Sequence, residues 1–150
     1  MKTLAHSQDK NEILRRLETL RPDSPRRWGR MTAHQMICHL NDSFLGVTGR
    51  RDISPATSLL QRTLIKWIAL YAPFRWPAGV PTRPEVDQEA GGTPPSNFAA
   101  DMAQLRSLVE LVTTQRGCFQ THPIFGRMSE AQWLRWAWLH MDHHLRQFGC

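Results

Sequence analysis

Apolar residues recur along this chain at the spacing of an α-helix, and no stretch alternates apolar and polar residues as a half-buried strand does. The segment 97–116 shows the helical pattern, since its apolar residues fall on one face. These residues are Met102, Leu105, Leu108, Val109 and Val112. The segment 7–20 carries a similar stripe opposite a charged face and stops before Pro22. The sequence therefore predicts an all-α fold.

Two tetrapeptides have the form of a capping box, in which the first and fourth side chains each bond the other residue's backbone N–H. They are TAHQ at 32–35 and SEAQ at 129–132, and each precedes a segment with helical periodicity. They predict helices over 32–47 and 129–148, the second ended by Gly149. Together with the two segments above, they bring the number of long predicted helices to four.

A long irregular connection separates the second and third of these helices. It holds one further helical segment, 56–71 with Pro55 at its start, followed by a Pro/Gly-rich run at 73–95. A connection of this length can cross over the domain, so that the helices on either side of it lie parallel. We therefore predict a four-helix bundle that forms a single domain over residues 1–150, a length sufficient to bury a core.

The three cysteines predict neither a disulfide framework nor a thiolate zinc site, since Cys38, Cys118 and Cys150 include no C-x-x-C pair. The N-terminal residues MKTLAHSQDK lack the apolar segment of a signal peptide. The most apolar run, 64–74, is short and includes Lys66. We therefore expect a cytoplasmic protein without a membrane partner.

Basic residues outnumber acidic ones, with a formal net charge of +6 and a pI near 10.0. Arginine outnumbers lysine sixteen to three and forms one cluster around Trp28. The cluster consists of Arg21, Arg26, Arg27 and Arg30. Such a surface suits phosphate or acidic partners, so a nucleic-acid- or phosphate-binding module is one alternative function. No groove-reading motif accompanies the cluster, and nucleic acid is therefore not the partner we expect.

Histidines are concentrated in the segment WLHMDHHLRQFG at 138–149. On a helical wheel His140 and His144 lie about 40° apart, and His143 lies about 60° from His140 on the other side. This stripe borders the apolar arc of the helix, so it lies beside the core. In the second predicted helix, His39 heads a similar stripe beside apolar residues.

Two histidines at positions i and i+4 can bind one transition-metal ion, and a third from a neighbouring helix completes the set. His140 and His144 are such a pair, and His39 is the candidate third ligand. Three neutral imidazoles would leave an open coordination position, as catalytic sites do. Zn²⁺, Ni²⁺ and Fe²⁺ all accept these ligands. The alternative for each histidine is hydrogen-bonded packing beside the core.

Several neighbouring side chains have more than one expected role. His143 is either a fourth ligand or a flanking residue, while Gln147 and Asp42 either orient ligand imidazoles or lie solvated at the rim. Asp42, His143 and His122 are acid or base candidates by residue type alone, and His122 is alternatively a loop-ordering residue. The six tryptophans, in particular the three of the last helix, are expected in the core and at the end of the bundle, with a substrate wall as the alternative.

His34 and Cys38 fall on the opposite flank of the second helix from His39. We therefore expect neither of them to take part in a shared site. For the same reason Cys38 is not expected to act as a nucleophile.

The stretches WGRMTAHQMICHL at 28–40 and HPIFGRMSEAQWLRWAWLHMDHHLRQFG at 122–149 resemble the signature segments of uncharacterised bacterial DinB-like proteins. These proteins form a family within the DinB/YfiT superfamily of metalloenzyme-like proteins. The resemblance spans nearly the whole chain and implies a four-helix bundle of up-down-down-up topology. It also implies a divalent metal ion held by His39, His140 and His144, and it leaves a homodimer open.

Members of that superfamily include thiol-dependent S-transferases and hydrolase-like or isomerase-like enzymes, so the fold does not determine the reaction. Our leading hypothesis is a divalent-metal-dependent enzyme of transferase or hydrolase type, with a thiol as one candidate co-substrate. Its small-molecule substrate would bind between the second and the last helix. The alternatives are the basic binding module and a non-enzymatic bundle whose metal is purely structural.

Overall fold

The computed structural model describes residues 1–115 and 117–150, which fold into five α-helices and no strand. The helices are α1 (Ser7–Glu18), α2 (Ala33–Val47), α3 (Lys66–Tyr71), α4 (Phe98–Thr114) and α5 (Glu130–Gln147). A π-helical turn, Gln61–Ile65, precedes α3, and a 3-10 turn covers Pro84–Val86. The predicted all-α class is confirmed for the described residues.

Both predicted capping boxes form. Thr32 Oγ1 accepts a hydrogen bond from the backbone N–H of Gln35, and the Gln35 side chain accepts one from the N–H of Thr32. Ser129 and Gln132 make the same pair of bonds at the start of α5. Local sequence therefore determines where the two helices that carry the candidate histidines begin.

The predicted start of the helix over 56–71 is wrong. The backbone becomes helical only at Leu59. The Ala56 N–H instead donates to the carbonyl of Pro123 at 2.8 Å, which holds this part of the chain against the loop before α5. A tertiary hydrogen bond thus replaces the first helical turn.

Two further helix ends differ from prediction or lie beyond the described residues. α1 ends at Glu18, whereas the helical pattern extends to Leu20. Leu20 is buried all the same, so its position in the core, and not helical backbone, explains the pattern. α4 follows an Asn97 cap, and its predicted end at Arg116 lies outside the described residues.

The four long helices share one hydrophobic core. α2 packs along α4, α1 packs along α5, and α3 lies against α5. The fully buried side chains include Ile13, Leu17, Met36, Leu40, Phe44, Leu105, Val109, Met141 and Leu145. Burial of an apolar side chain of this size contributes about 1.5–3 kcal/mol. The candidate histidines project from helices whose orientation this core fixes.

A buried carboxylate ties the long connection between α2 and α4 back to α2. Asp42 is fully buried and accepts hydrogen bonds from the N–H and the hydroxyl of Thr93, both at 2.7 Å, and from the Gln88 amide at 2.9 Å. Arg51 adds an ion pair at 3.0 Å. Asp42 therefore neither orients an imidazole nor lies solvated at a rim, and these two predicted roles are wrong. Its contacts hold the 3-10 turn near α2.

The segment around α3 leaves large apolar side chains exposed. They include Leu59, Leu60, Leu64, Trp67 and Phe74. Even so, none of the helices in the described part of the chain has the length and apolar character needed to cross a bilayer.

Candidate metal centre

The three histidines predicted as ligands come together where α2 and α5 meet. His39 projects from α2, and His140 and His144 lie one turn apart on α5. The Nε2 atoms of His39 and of His144 each lie 3.1 Å from Nε2 of His140. Between 4% and 8% of each residue is exposed, so the cluster is almost closed to solvent. These ring nitrogens form one group that could hold a metal ion.

The backbone determines which nitrogen of His39 carries the proton. Nδ1 of His39 lies 2.7 Å from the carbonyl oxygen of Val86 in the 3-10 turn. A carbonyl only accepts hydrogen bonds, so the proton is on Nδ1 and Nε2 presents a lone pair. His39 therefore directs a lone pair toward His140.

Gln147 determines the position of the proton on His144. The side-chain NH₂ of Gln147 donates to the Trp28 carbonyl at 2.9 Å, which turns the amide oxygen toward His144. Nδ1 of His144 donates to that oxygen across 3.2 Å, so Nε2 of His144 also presents a lone pair. Of the two roles considered for Gln147, the structure shows the orienting one.

Nε2 of His140 faces the lone pairs of both His39 and His144. With a proton on Nε2, one hydrogen must be shared between His39 and His144, and the buried Nδ1 has no hydrogen-bond partner. With the proton on Nδ1, three lone pairs face one another. In either tautomer the centre of the cluster lacks positive charge, and a metal cation would supply it. The donor set thus fits a cation.

The separation of the ring nitrogens also fits one ion. Two nitrogen ligands at ~2.0–2.1 Å from a common ion lie about 3.3 Å apart at a tetrahedral angle. The observed separations are 3.1 Å. Three neutral imidazoles suit Zn²⁺, Ni²⁺ and Fe²⁺ alike, so the donors leave the choice among these ions open.

Burial keeps these imidazoles neutral. The pKa of His140 and that of His144 are lowered well below the usual value, first by burial and then by the neighbouring histidines. The pKa of His39 is also lowered by burial, although the hydrogen bond to Val86 opposes the change. Neutral rings keep their lone pairs free for an ion.

Two tryptophans and His143 line one side of the cluster. The ring centroid of Trp76 lies 6.2 Å from that of His140 and 6.1 Å from that of His143. Trp28 lies 6.1 Å from His143, and all three residues are half-buried. His143 flanks the three-histidine group and is not one of its members.

The opposite side of the cluster is packed with buried rings. Trp136 lies 4.7 Å from His140 and 5.4 Å from Trp133, as measured between ring centroids. Trp138 is also buried and donates from Nε1 to the carbonyl of Asp9. The prediction that the tryptophans lie in the core is confirmed for the three of this helix, whereas Trp28 and Trp76 are half-buried and Trp67 is exposed.

His122 orders the loop before α5. Its Nδ1 accepts hydrogen bonds from the N–H groups of Ile124 and Phe125 at 3.1 and 3.0 Å. Its backbone forms a bridge with Gly126, and its ring packs edge-on against Trp136. Burial lowers the pKa of His122 to about 3. The loop-ordering role is therefore the one that the structure shows.

The Val86 carbonyl was not predicted from the sequence, and the substrate-wall alternative for the six tryptophans did not single out Trp28 and Trp76. A backbone carbonyl has no side-chain signal. Both tryptophans lie in irregular segments, where no periodicity places a side chain. The only available hint was the unusual length of the Pro/Gly-rich connection, which is typical of functional loops.

His34 and Cys38 are not members of the three-histidine group, but both contact Asp101 of α4. His34 Nε2 lies 2.7 Å from Oδ2 of Asp101 in α4, and Cys38 Sγ lies 3.6 Å from the same oxygen. The flank of α2 opposite His39 faces α4, which a wheel drawn for one helix does not reveal. The pKa of Cys38 is raised to about 12 by burial and by Asp101, so the thiol is protonated and unsuited to nucleophilic attack.

The arginine cluster at 21–30 is partly used within the molecule. Arg30 forms ion pairs with Asp87 at 2.8 Å and with Glu89 at 2.7 Å. The backbone N–H of Arg27 donates to the last turn of α5 at 2.7 Å. This loop therefore lies against the end of α5, beside the three-histidine cluster.

Comparison with known proteins identifies one family. A family model described as a protein of unknown function, DUF1569, matches residues 2–149. No curated protein and no solved structure matches the chain. The match includes every helix and all three histidines of the centre. The chain therefore belongs to the DUF1569 family of proteins of unknown function.

Proposed function

We propose that this protein is a divalent-metal-dependent enzyme of transferase or hydrolase type, whose ion is held by His39, His140 and His144. The observation that carries the proposal is the convergence of three buried Nε2 atoms. In His39 and His144, Nδ1 donates a hydrogen bond, so Nε2 presents a lone pair. Histidines that serve packing alone have no reason to face one another in this way, because lone pairs do not bond to each other.

When bound, the ion would supply Lewis-acid chemistry to a small molecule in its remaining coordination position. The residues of the chain prepare the site for it. The Val86 carbonyl keeps His39 in the tautomer with a free Nε2, and Gln147 does the same for His144. Trp136 covers the inner side of His140 and excludes water there.

The substrate in this proposal is a small molecule that approaches past Trp28, His143 and Trp76. These half-buried rings are less enclosed than the Trp136 side of the cluster. Aromatic walls bind apolar or planar groups, and a few polar atoms orient them. A thiol is the co-substrate class that we favour for a transferase reaction, because sulfur is a good ligand for soft and borderline metal ions.

We also assign the chain to the DinB-like fold, a four-helix bundle of up-down-down-up topology. The pairing of α2 with α4 and of α1 with α5 supports this assignment. Asp101 in the first turn of α4 contacts His34 in the first turn of α2, as parallel neighbours would. An experimental structure in which α2 and α4 run antiparallel would overturn the assignment.

Elemental analysis of the purified protein tests the metal centre. We expect the wild type to hold about one more equivalent of a transition metal per chain than His140→Ala, which lacks the central ligand. His143→Ala is the matched control, because it removes a neighbouring imidazole of α5 and leaves the three Nε2 atoms in place. Equal metal content in wild type and His140→Ala would contradict the proposal.

Removal of the ion distinguishes an enzyme from a protein with a structural metal. After chelation we expect unchanged helix content by circular dichroism and loss of turnover in assays of thiol transfer and ester or amide hydrolysis. Unfolding on chelation would instead identify a structural ion. Tight, steeply salt-dependent binding of DNA or RNA by a metal-free protein would favour the basic binding module.

A further inference from the structure

A second group of metal-ligating side chains lies on the other face of α2. His34 and Cys38 are one turn apart on that face, and Asp101 reaches them from α4. One nitrogen, one sulfur and one carboxylate oxygen of these residues all lie within 4.8 Å of one another. On the helical wheel His34 lies about 140° from His39, so the group is separate from the three-histidine centre.

One oxygen of Asp101 receives most of the hydrogen bonds in this group. Oδ2 lies 2.7 Å from Nε2 of His34, 3.6 Å from Sγ of Cys38 and 3.5 Å from the backbone nitrogen of Ser96. The imidazole and the thiol thus each direct a hydrogen at the same anionic atom. A cation at this point would take the place of those hydrogens.

The neighbouring Asn41 supplies an independent observation. Its side-chain NH₂ donates to the backbone carbonyl of Asp101 at 2.9 Å, which places the amide beside the group. Its Oδ1 is buried and has no hydrogen-bond partner, in a residue that is only 4% exposed. A buried oxygen without a partner is unfavourable, so a cation or a hydrogen-bond donor at this point would stabilise Asn41 Oδ1.

We propose that His34, Cys38 and Asp101 form a second metal site between α2 and α4, selective for a borderline-soft divalent ion such as Zn²⁺, with Asn41 Oδ1 as a neighbouring oxygen donor. The mixed nitrogen, sulfur and oxygen set suits Zn²⁺ and disfavours Mg²⁺ and Ca²⁺, which prefer oxygen ligands alone. Binding forms three bonds from the chain to the ion and releases the thiol proton of Cys38 to solvent, while the proton on Nε2 of His34 passes by exchange with solvent to Nδ1 of the same ring.

The present distances need little change to accept an ion. Sulfur and oxygen ligands at ~2.3 and ~2.1 Å from one ion lie about 3.6 Å apart at a tetrahedral angle. Cys38 Sγ and Asp101 Oδ2 already have this separation of 3.6 Å. His34 would have to withdraw by under about 1 Å from that oxygen. The side chains of His34 and Asp101 are 19% and 14% exposed, which gives the ion a path from solvent.

Cobalt(II) titration of the reduced, chelator-treated full-length chain tests this site. A thiolate bound to Co²⁺ gives a near-ultraviolet charge-transfer band that a purely histidine site lacks, so the band reports the second site alone. We expect the band in the wild type and in His140→Ala, its loss in Cys38→Ser, and its displacement by added Zn²⁺. Cys118→Ser is the matched control and should retain the band.

A second variant decides the case if Cys38→Ser fails to fold. Asp101→Asn keeps the size of the side chain and removes the charge, and we expect the cobalt affinity measured by the band to fall about tenfold or more. Absence of the band in the wild type, its survival in Cys38→Ser, or unchanged affinity in Asp101→Asn would overturn the proposal. Because the readout requires sulfur, failure here leaves the three-histidine centre untouched, and failure of that centre leaves this band in place.

Discussion

His122 and His140 are both buried, neutral imidazoles in contact with Trp136, yet their hydrogen bonding differs. Nδ1 of His122 accepts two backbone N–H groups. Nδ1 of His140 has no partner, and its Nε2 faces two other ring nitrogens. Burial and a lowered pKa are common to both residues and therefore identify neither as a ligand. The count of donors and acceptors around the ring is what separates a loop-ordering histidine from a candidate ligand.

Replacing His140 by alanine should weaken metal binding at the three-histidine centre, whereas replacing His122 should not. His140→Ala removes the central nitrogen, and we expect the metal affinity to fall by more than about 100-fold, since loss of an outer partner alone costs 10–100-fold. His122→Ala should bind metal as the wild type does. Competition with a chromophoric chelator measures both. A folded His122→Ala protein that binds no metal would show that the contrast between the two residues is wrong.

The same His122→Ala variant should be the less stable of the two when both are free of metal. It leaves two buried N–H groups without an acceptor and removes ring packing, so we expect a loss of about 3 kcal/mol in the free energy of unfolding. Urea unfolding monitored by tryptophan fluorescence measures it. A loss under about 1 kcal/mol would mean that the loop before α5 does not depend on this ring.

Acid should destabilise the folded protein through His122, because the pKa of this residue is lower in the folded protein than in the unfolded chain. Its pKa is about 3 in the folded protein, far below the usual value of 6.5, because the ring is buried. Above pH 6.5 the ring is neutral in both states, and its contribution to stability is complete. Below that pH only the unfolded chain takes up the proton, so stability falls by about 1.4 kcal/mol per pH unit until the folded pKa is reached.

Comparison of wild type with His122→Gln, both free of metal, isolates this contribution. Urea unfolding at a series of pH values between about 6.5 and about 4 should give a shallower decline for the variant. The other buried histidines add to the slope of both proteins, so the difference between the two slopes is the quantity to compare. Equal slopes would contradict the assignment.

The amide of Gln147 offers a smaller test of the tautomer argument. Gln147→Leu keeps the bulk of the side chain and removes the oxygen that accepts from Nδ1 of His144. We expect metal affinity to fall about tenfold, because His144 then loses the partner that fixes its proton. Gln104→Leu, on the exposed face of α4, is the control. Unchanged affinity in Gln147→Leu would show that this hydrogen bond does not orient His144.

The smallest effect belongs to the start of α5. Ser129→Ala removes the side-chain acceptor of the capping box, and we expect a loss of about 1 kcal/mol in the free energy of unfolding. The metal affinity should stay unchanged, since the three ring nitrogens lie far along the helix from its cap. Thermal unfolding and the chelator competition measure these quantities. A change in metal affinity would indicate that helix starts and ligand positions are coupled.

The parts of this molecule that could be predicted from sequence are the locally determined ones. The capping boxes form from residues three apart, and helical spacing identifies the buried face of each long helix. The pairing of His140 with His144 follows from one turn of helix, and the wheel places His39 beside the core. These features depend on neighbours in the chain, so the sequence contains the necessary information.

The parts that could not be predicted depend on contacts between distant segments. The role of Asp42 is set by Thr93, which an irregular connection brings back to α2. The pairing of His34 and Cys38 with Asp101 requires the packing of α2 on α4, which no single-helix wheel contains. The irregular backbone between α3 and α4 has no period from which the position of Trp76 follows.

The separation of the centre's ligands along the chain has a consequence for biosynthesis. His39 and His140 are 101 residues apart. At a synthesis rate of about 5–20 residues per second, α5 emerges roughly 5 to 20 s after α2. During that interval His39 is a single imidazole with no chelating neighbour on α5, and it competes poorly for cellular metal. The three-histidine centre therefore cannot take up an ion before α5 has been made.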